Sequence, residues 1–440
     1  MSERRRPIVV DLYAGAGGLG LGFEQAGFDV AVAVESDPVH AAVHGWNFPY
    51  CETVCTDIAT LDASDLRGRT RLGDREIDVV VGGPPCQGFS LMGGRDVGDA
   101  RNGGVGDFVR LVTGLRPRAF VMENVRGAVV GDHVAIVEAA VGDLVAAGYE
   151  VRLPWRILDA VDHGVPQSRE RLVLMGARRG ERLPDYPEPT TARAGSSAHM
   201  WLPPGPTCSD ALDDLPDAEG FAALRDGDVV RGGPVRDPSP YARTLAADAV
   251  VGFSYPRAVD PTVMTASART DHGSASRDRF AATPHGTVER VSRFHRLHPD
   301  GVAPTLRAGT DAARGAHTAP RPIHHVHPRC VTVREMARLS GFPDWFRPHS
   351  TVWHGAREIG NAVPPPLARA VAREVVSALG LDVGPADTVL TMPAPDPLHR
   401  NASASARAIG IEAPVARRVR PVPSRPPTAV FPTEGVPTLV

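Results

Sequence analysis

Gly82-Gly83-Pro84-Pro85-Cys86-Gln87 carries one thiol on a loop, directly behind an apolar run from Ile77 to Val81 that reads as a strand. Ligands bind at the carboxyl ends of strands in open α/β sheets. Two prolines stiffen the approach to Cys86, and glycines at 88, 93, 94, 98, 103, 104 and 106 loosen the chain after it. A rigid nucleophile mount beside a looser segment suits covalent catalysis. A second constellation, Asp11-Leu12-Tyr13-Ala14-Gly15-Ala16-Gly17-Gly18-Leu19-Gly20, contains G-x-G-x-x-G after the first strand. Such glycines let the backbone turn sharply and let a ligand come close. Glu35 ends the next strand, where an acidic side chain meets ribose hydroxyls in nucleoside-binding folds. This motif alone does not separate a nicotinamide cofactor from S-adenosylmethionine.

These residues need a sheet to hold them. Pro7 to Tyr13, Val30 to Val34, Ile77 to Val81, Ala119 to Met122, Val151 to Leu158 and Leu172 to Ala177 read as short apolar strands, with a helix over Val134 to Ala147. Strands alternating with helices predict a parallel, doubly wound α/β sheet. From Arg178 to about Arg329 the chain is rich in Pro, Gly, Asp, Arg and His, and its periodicity is lost. Regular structure returns with a helix from Thr332 to Leu339, with Thr332 as N-cap and Glu335 three residues on. A further helix runs from Pro364 to Leu379, stopped by Gly380. The divisions are 1–178 for a catalytic and cofactor-binding unit, 179–330 for a smaller loop-rich unit, 331–382 for the return to the first, and 383–440 for a proline-rich disordered tail.

The composition is that of a soluble globular chain: 440 residues, 42% hydrophobic, net charge −3. No apolar run has the length of a membrane span, and the N-terminus has no signal-peptide pattern, so a cytoplasmic protein is expected. The charge argues against a wholly basic nucleic-acid binder but leaves room for a local arginine surface. Every basic residue other than histidine is arginine. Five widely spaced cysteines, Cys51, Cys55, Cys86, Cys208 and Cys330, form no disulfide framework. His295-x2-His298 and His324-His325-x-His327 fall in the irregular region, but nothing in their spacing supplies a full zinc shell, and no metal is expected.

With these motifs in view, the chain resembles the C5-cytosine DNA methyltransferases of bacterial restriction–modification systems. The resemblance rests on a series in the family's order: the glycine loop, Glu35, Asp57-Ile58, Pro84-Pro85-Cys86-Gln87, Glu123-Asn124-Val125, Gln167-Ser168-Arg169-Glu170-Arg171, Arg334-Glu335-x4-Ser340-Gly341-Phe342-Pro343, and Gly360-Asn361-Ala362-Val363-Pro364-Pro365. It departs from the family at Gly103-Gly104, where an apolar pair usually follows Arg-Asn.

The resemblance implies a Rossmann-like S-adenosylmethionine-dependent methyltransferase sheet, with 179–330 as the target-recognition domain. Cys86 would add to carbon 6 of a cytosine, making carbon 5 nucleophilic. Glu123 would hold or donate the proton at N3, and Arg169 and Arg171, on one face of an extended segment, would contact the base, phosphate or loop. Tyr13, Gly15, Gly17, Gly18, Leu19, Gly20, Glu35, Asp57, Ile58, Pro84 and Asn361 would line the cofactor site. Double-stranded DNA is the expected substrate, with the base flipped out of the helix. Arg269, Arg277, Arg279, Arg290, Arg293, Arg307 and Arg314 are candidates for DNA contacts. A monomer is expected, and the resemblance leaves room for a cognate endonuclease in the same system, with no direct contact implied. A tRNA methyltransferase of the same fold and a non-catalytic DNA-binding module are the alternatives.

Overall fold

The computed structural model describes residues 6–85, 103–193, 199–310 and 318–412. Cys86, most of the glycine-rich loop after it, Arg314 and the chain beyond 412 lie outside the described residues.

The first part runs β1 (Ile8–Leu12), α1 (Gly18–Gln25), β2 (Asp29–Glu35), α2 (Pro38–Asn47), β3 (Glu52–Cys55), α3 (Ala63–Arg69), β4 (Val79–Gly82), α4 (Gly104–Leu115), β5 (Ala119–Val125), α5 (Val134–Ala146), β6 (Tyr149–Val151), β7 (Arg156–Asp159) and β8 (Glu170–Arg178). The eight strands form one sheet in the order β3-β2-β1-β4-β5-β8-β6, with β7 also paired to β8. The pairs among β1 to β5 are parallel. β8 runs antiparallel to β5, β6 and β7. The expectation of a purely parallel sheet is therefore corrected to a mixed one. The single strand expected from Val151 to Leu158 is two, β6 and β7, and both reach β8 by hairpin-like antiparallel pairing that needs no crossover helix.

Side chains alternate across the sheet and feed two layers. Val9, Val79, Val81 and Val121 face one way, into a core shared with α1, α9 and α11. Val10, Val32, Val80 and Phe120 face the other way, toward α3, α4 and α5. Strands covered on both faces read as unbroken apolar runs, as β1 and β4 do. Between β1 and β4 the strand order reverses, which opens a crevice at the strands' carboxyl ends.

The irregular region holds only short elements: α6 (Cys208–Leu212), β9 (Val230–Arg231), α7 (Pro240–Leu245), β10 (Arg257–Ala258), β11 (Val263–Met264) and α8 (Ser274–Ala282). Phe280, Ile323 and Cys330 form a small core there. Other buried residues of the region, such as Leu212, Leu297 and Leu306, merge with the α1 side of the sheet core. A fully buried ion pair, Arg257 on Glu24 of α1, is roofed by the Trp345 ring 3.8 Å away.

The chain then forms α9 (Val333–Leu339), α10 (Val352–Asn361), α11 (Pro365–Leu379), β12 (Leu390–Thr391) and α12 (Ala402–Ala408). Thr332 and Glu335 make the expected capping box. Gly380 ends α11 in the left-handed conformation. Over 383–412 the tail expected to be disordered is ordered. β12 pairs with β10, Leu398 and Ala406 are buried, and Trp46 Nε1 donates to the Pro393 carbonyl at 3.0 Å. Proline content misled because the few apolar residues among the prolines are the ones that dock on α2. No helix among the described residues is long and apolar enough to cross a membrane.

Candidate active site

The crevice between β1 and β4 is the mouth of a cleft of about 1690 Å³. Its lining includes Tyr13, Gly15, Gly18, Leu19, Glu35, Asp57, Ile58, Pro84, Glu123, Arg169, Arg171 and Asn361. Residues as distant in sequence as Tyr13 and Asn361 thus meet at one cavity. The stretch just before Cys86, Gly83-Pro84-Pro85, also lines it.

The glycine loop divides into two kinds of residue. Gly15 (φ +54°) opens toward the cleft, with no atom within 4 Å of where a Cβ would stand. Gly18 lies where α1 meets the end of α10: a Cβ there would stand 2.6 Å from the Val363 carbonyl. Gly18 therefore lets Asn361 reach the loop. Gly17 and Gly20 do not line the cleft. A Cβ on Gly17 would strike the Phe48 ring, and one on Gly20 the Asp11 carboxylate. These two, expected to line the cofactor site, are instead needed for packing behind it.

Glu35 closes β2, and its carboxylate accepts from the Gly15 amide at 2.9 Å and the Asp37 amide at 2.8 Å. Asp57 caps the short turn Ile58–Thr60 through the Ala59 amide at 3.0 Å, which holds Ile58 buried at the cleft. Beneath the glycine loop, Asp11 is buried against Gly20. Burial, with Glu35 nearby, pushes its carboxyl up to about 8.

Glu123 and Arg171 sit on neighbouring antiparallel strands, β5 and β8, and form a buried ion pair. The Glu123 carboxylate lies against Gly83, where a Cβ would stand 2.7 Å from its Oε2. Burial raises the Glu123 pKa, and the Arg171 and Arg169 guanidiniums oppose that rise. Arg169 spends its donors elsewhere: Nη1 on the Leu306 carbonyl at 3.0 Å and Nη2 on the Gly360 carbonyl at 2.6 Å. Burial pushes its pKa down to about 9, which leaves it cationic at neutral pH. It staples two walls of the cleft rather than presenting a free fork. Gln167 helps, accepting from the Leu306 amide at 3.1 Å and donating to Ser340 Oγ at 2.9 Å. Glu170 points outward and pairs with Arg126 at 2.9 Å.

Sequence reasoning missed several cleft residues. Thr305, Leu306, Ala308, Trp353, His354 and Glu358 line it, as do Asn401 to Ser403 of the last helical segment. Only the run into Gly360-Asn361 signalled α10. Thr305 to Thr310 lies against Gly360, where a Cβ would stand 2.6 Å from the Ala308 amide. Of the arginines expected to touch DNA, Arg277 is tied to Glu219 by two 2.5 Å bonds, and Arg269 and Arg279 face Asp271 and Glu289. Arg290, Arg293 and Arg307 are exposed. Among the described residues, no group of three or more His, Cys, Asp or Glu is arranged to hold a metal. In the second histidine group, His325 pairs with Asp213 at 2.7 Å and His327 with Asp217 at 3.2 Å.

Comparison with known proteins adds to this geometry. A family profile described as C-5 cytosine-specific DNA methylase matches residues 8–377. The chain is 47% identical over 420 residues to the Type II methyltransferase M.XorII of Xanthomonas oryzae pv. oryzae, covering 95% of this chain and 96% of that one. It is 31% identical to the Type II methyltransferase M.DdeI of Desulfomicrobium norvegicum, over 83% of this chain and 88% of that one. A crystal structure described as a DNA modification methyltransferase encoded within a prophage (E. coli) is 31% identical, with a TM-score of 0.68, covering 85% of this chain and all of the other.

Proposed function

Because the chain belongs to the C-5 cytosine-specific DNA methylase family, we propose that the cleft carries out methyl transfer to carbon 5 of a cytosine flipped from a specific duplex sequence, within a restriction–modification system. The protein is a DNA (cytosine-5)-methyltransferase, and its methyl donor is S-adenosylmethionine. The observation that carries the reading is the buried Glu123–Arg171 pair beside Gly83-Pro84-Pro85, in one cleft with the glycine loop.

The donor set fits that cofactor. Gly15, Gly18 and Leu19 would face its methionine part, Glu35 its ribose, and Asp57 with Ile58 its adenine, while Asn361 closes the methionine end. When bound, the cofactor supplies an electrophilic sulfonium methyl group. Everything else falls to the chain. Cytosine carbon 5 is a weak nucleophile, so the Cys86 thiolate adds to carbon 6 and makes carbon 5 enamine-like. Glu123, whose pKa burial raises against the pull of Arg171 and Arg169, donates a proton to N3 when it is protonated and so stabilises the charge of that addition. Arg171 orients Glu123 and favours the thiolate by its charge. Once carbon 5 has taken the methyl group, its proton passes to water, and the electron pair it leaves behind expels the Cys86 thiolate from carbon 6 and restores the ring. Arg169 keeps the 305–310 and 360–361 walls at the right separation.

Of the candidate arginines among the described residues, Arg290, Arg293 and Arg307 are the exposed ones, and they are offered to DNA. In this reading 179–330 reads the target sequence, and the protein works as a monomer in the cytoplasm, on the nucleoid. The reading leaves room for a cognate endonuclease in the same system and implies no direct contact with it.

The test uses purified full-length protein, methyl-labelled S-adenosylmethionine, mixed-sequence duplex DNA and, separately, total tRNA, each digested to nucleosides. 5-Methyldeoxycytidine from DNA is expected. Label only in tRNA would overturn the DNA reading, and label at an exocyclic amine would overturn the mechanism.

A further inference from the structure

The Tyr13 hydroxyl makes a bond that lining a cofactor pocket does not require. Tyr13 follows β1 in the left-handed conformation, φ +58°, which disfavours a non-glycine residue. From there its hydroxyl donates to the Gly104 carbonyl at 2.8 Å, 91 residues further along the chain. Gly104 is the first residue of α4, and a Cβ on it would stand 2.9 Å from Pro85 Cδ. Tyr13, Gly104 and Pro85 therefore meet at one junction, and the residue after Pro85 is Cys86.

The same helix is gripped again two turns on. Arg110 donates to the Ile58 carbonyl at 2.8 Å and pairs with Asp107 at 2.9 Å. The start of α4 thus touches the turn assigned to the adenine, the loop assigned to the methionine part, and the chain leading into the cysteine. Gly103 and Gly104 bring no side chains to this junction, so the tyrosine hydroxyl supplies the directional contact there.

We propose that Tyr13 is a positioning residue: through Gly104 its hydroxyl sets Pro85, and with it the chain entering Cys86, relative to the cofactor. The inference rests on the reading of Cys86 as nucleophile. The bond persists into alkaline solution, because burial and the Asp107 and Asp57 carboxylates hold the phenol protonated well above its ordinary range.

The test is Tyr13→Phe, which keeps the ring and removes the hydroxyl. Full-length wild type and variant are compared for S-adenosylmethionine affinity by calorimetry, for kcat and KM, and for the rate of covalent trapping on duplex DNA containing 5-fluorodeoxycytidine. One lost hydrogen bond should slow kcat and trapping about tenfold, while cofactor affinity stays within about twofold. Gly104→Ala, which pushes on Pro85 from the other side, should show the same split. Trapping of Tyr13→Phe at the wild-type rate would overturn the proposal. So would a loss of cofactor affinity matching the loss of rate, since Tyr13 would then be a ligand and not a positioner. Failure of the wild type itself to form the adduct would overturn the nucleophile reading, and this proposal with it.

Discussion

Glu123 sits between opposed influences, and its chemistry depends on which prevails. Burial raises its pKa, and two arginines pull it back. A carboxyl used as an acid is active when protonated, so turnover should fall on the alkaline side as Glu123 ionises. Glu123→Gln, which keeps the shape but cannot ionise, should lose about 100-fold or more in kcat and lose that alkaline limb, with cofactor affinity unchanged. A Gln variant that keeps the wild-type pH–rate profile would remove Glu123 from the chemistry. Asp11 gives a stability prediction of defined sign. Its carboxyl is pushed up to about 8 in the fold, against about 4 in the unfolded chain. The folded state therefore keeps a proton that the unfolded state releases, and stability falls as pH rises from about 4 to about 8. Asp11→Asn should flatten that fall, as read by melting temperature across the same range.

At the scale of elements, close approach decides more than propensity does. Gly18 lets α1 touch Val363, and Gly18→Ala should cost about 1–3 kcal/mol while weakening cofactor binding, because the Asn361 turn must retreat. Calorimetric titration would show a retained or lost affinity directly. The N-terminus of α9 is held by a different device. Glu335 caps the helix and takes both Nη atoms of buried Arg329, at 2.9 and 2.8 Å. Glu335→Ala should cost about 3–5 kcal/mol, since it leaves a buried guanidinium facing a void; a denaturant midpoint close to wild type would refute that. The capping box was legible because Thr332 and Glu335 stand at the right spacing. β1, β4 and β5 were legible as apolar runs. β3 was not, because Glu52-Thr53-Val54-Cys55 lies at the sheet edge and is only half-buried. α2 and α10 were hidden by histidine, glycine and tryptophan, which are poor guides to a helical period. Nor can a motif show where its donors end, and Arg169 turning to two backbone carbonyls is a tertiary fact.

On the scale of the whole molecule, motif order across about 370 residues made family and chemistry readable, while the packing of the irregular region and the chain's end stayed hidden. Short polar loops carry no period, so nothing local says that Leu212 and Leu306 share a core with the sheet. The same holds for residues 390–412. Removing everything after 389 strips Leu398 from α2 and opens the Asn401–Ser403 wall, so it should lower the melting temperature and weaken cofactor binding. Full activity in such a truncation would show that docking to be dispensable. For DNA, replacing Arg290, Arg293 or Arg307 by Ala should reduce the slope of log affinity against log salt by about 1 where the arginine meets a phosphate. A changed target preference at constant slope would mark a base reader instead.

The contact between Gly22 of α1 and Ala368 of α11, where a Cβ would stand 2.2 Å from its neighbour, has a consequence in time. During synthesis α1 must wait for α11 before it is covered, and Arg6 waits further still, for the carbonyl of Gly384. Contacts of such sequence separation form late and slowly. A nascent chain therefore yields no partial enzyme: the cleft is completed only after α10 and α11 have been made. Methyl transfer then begins as a step, one folded molecule at a time.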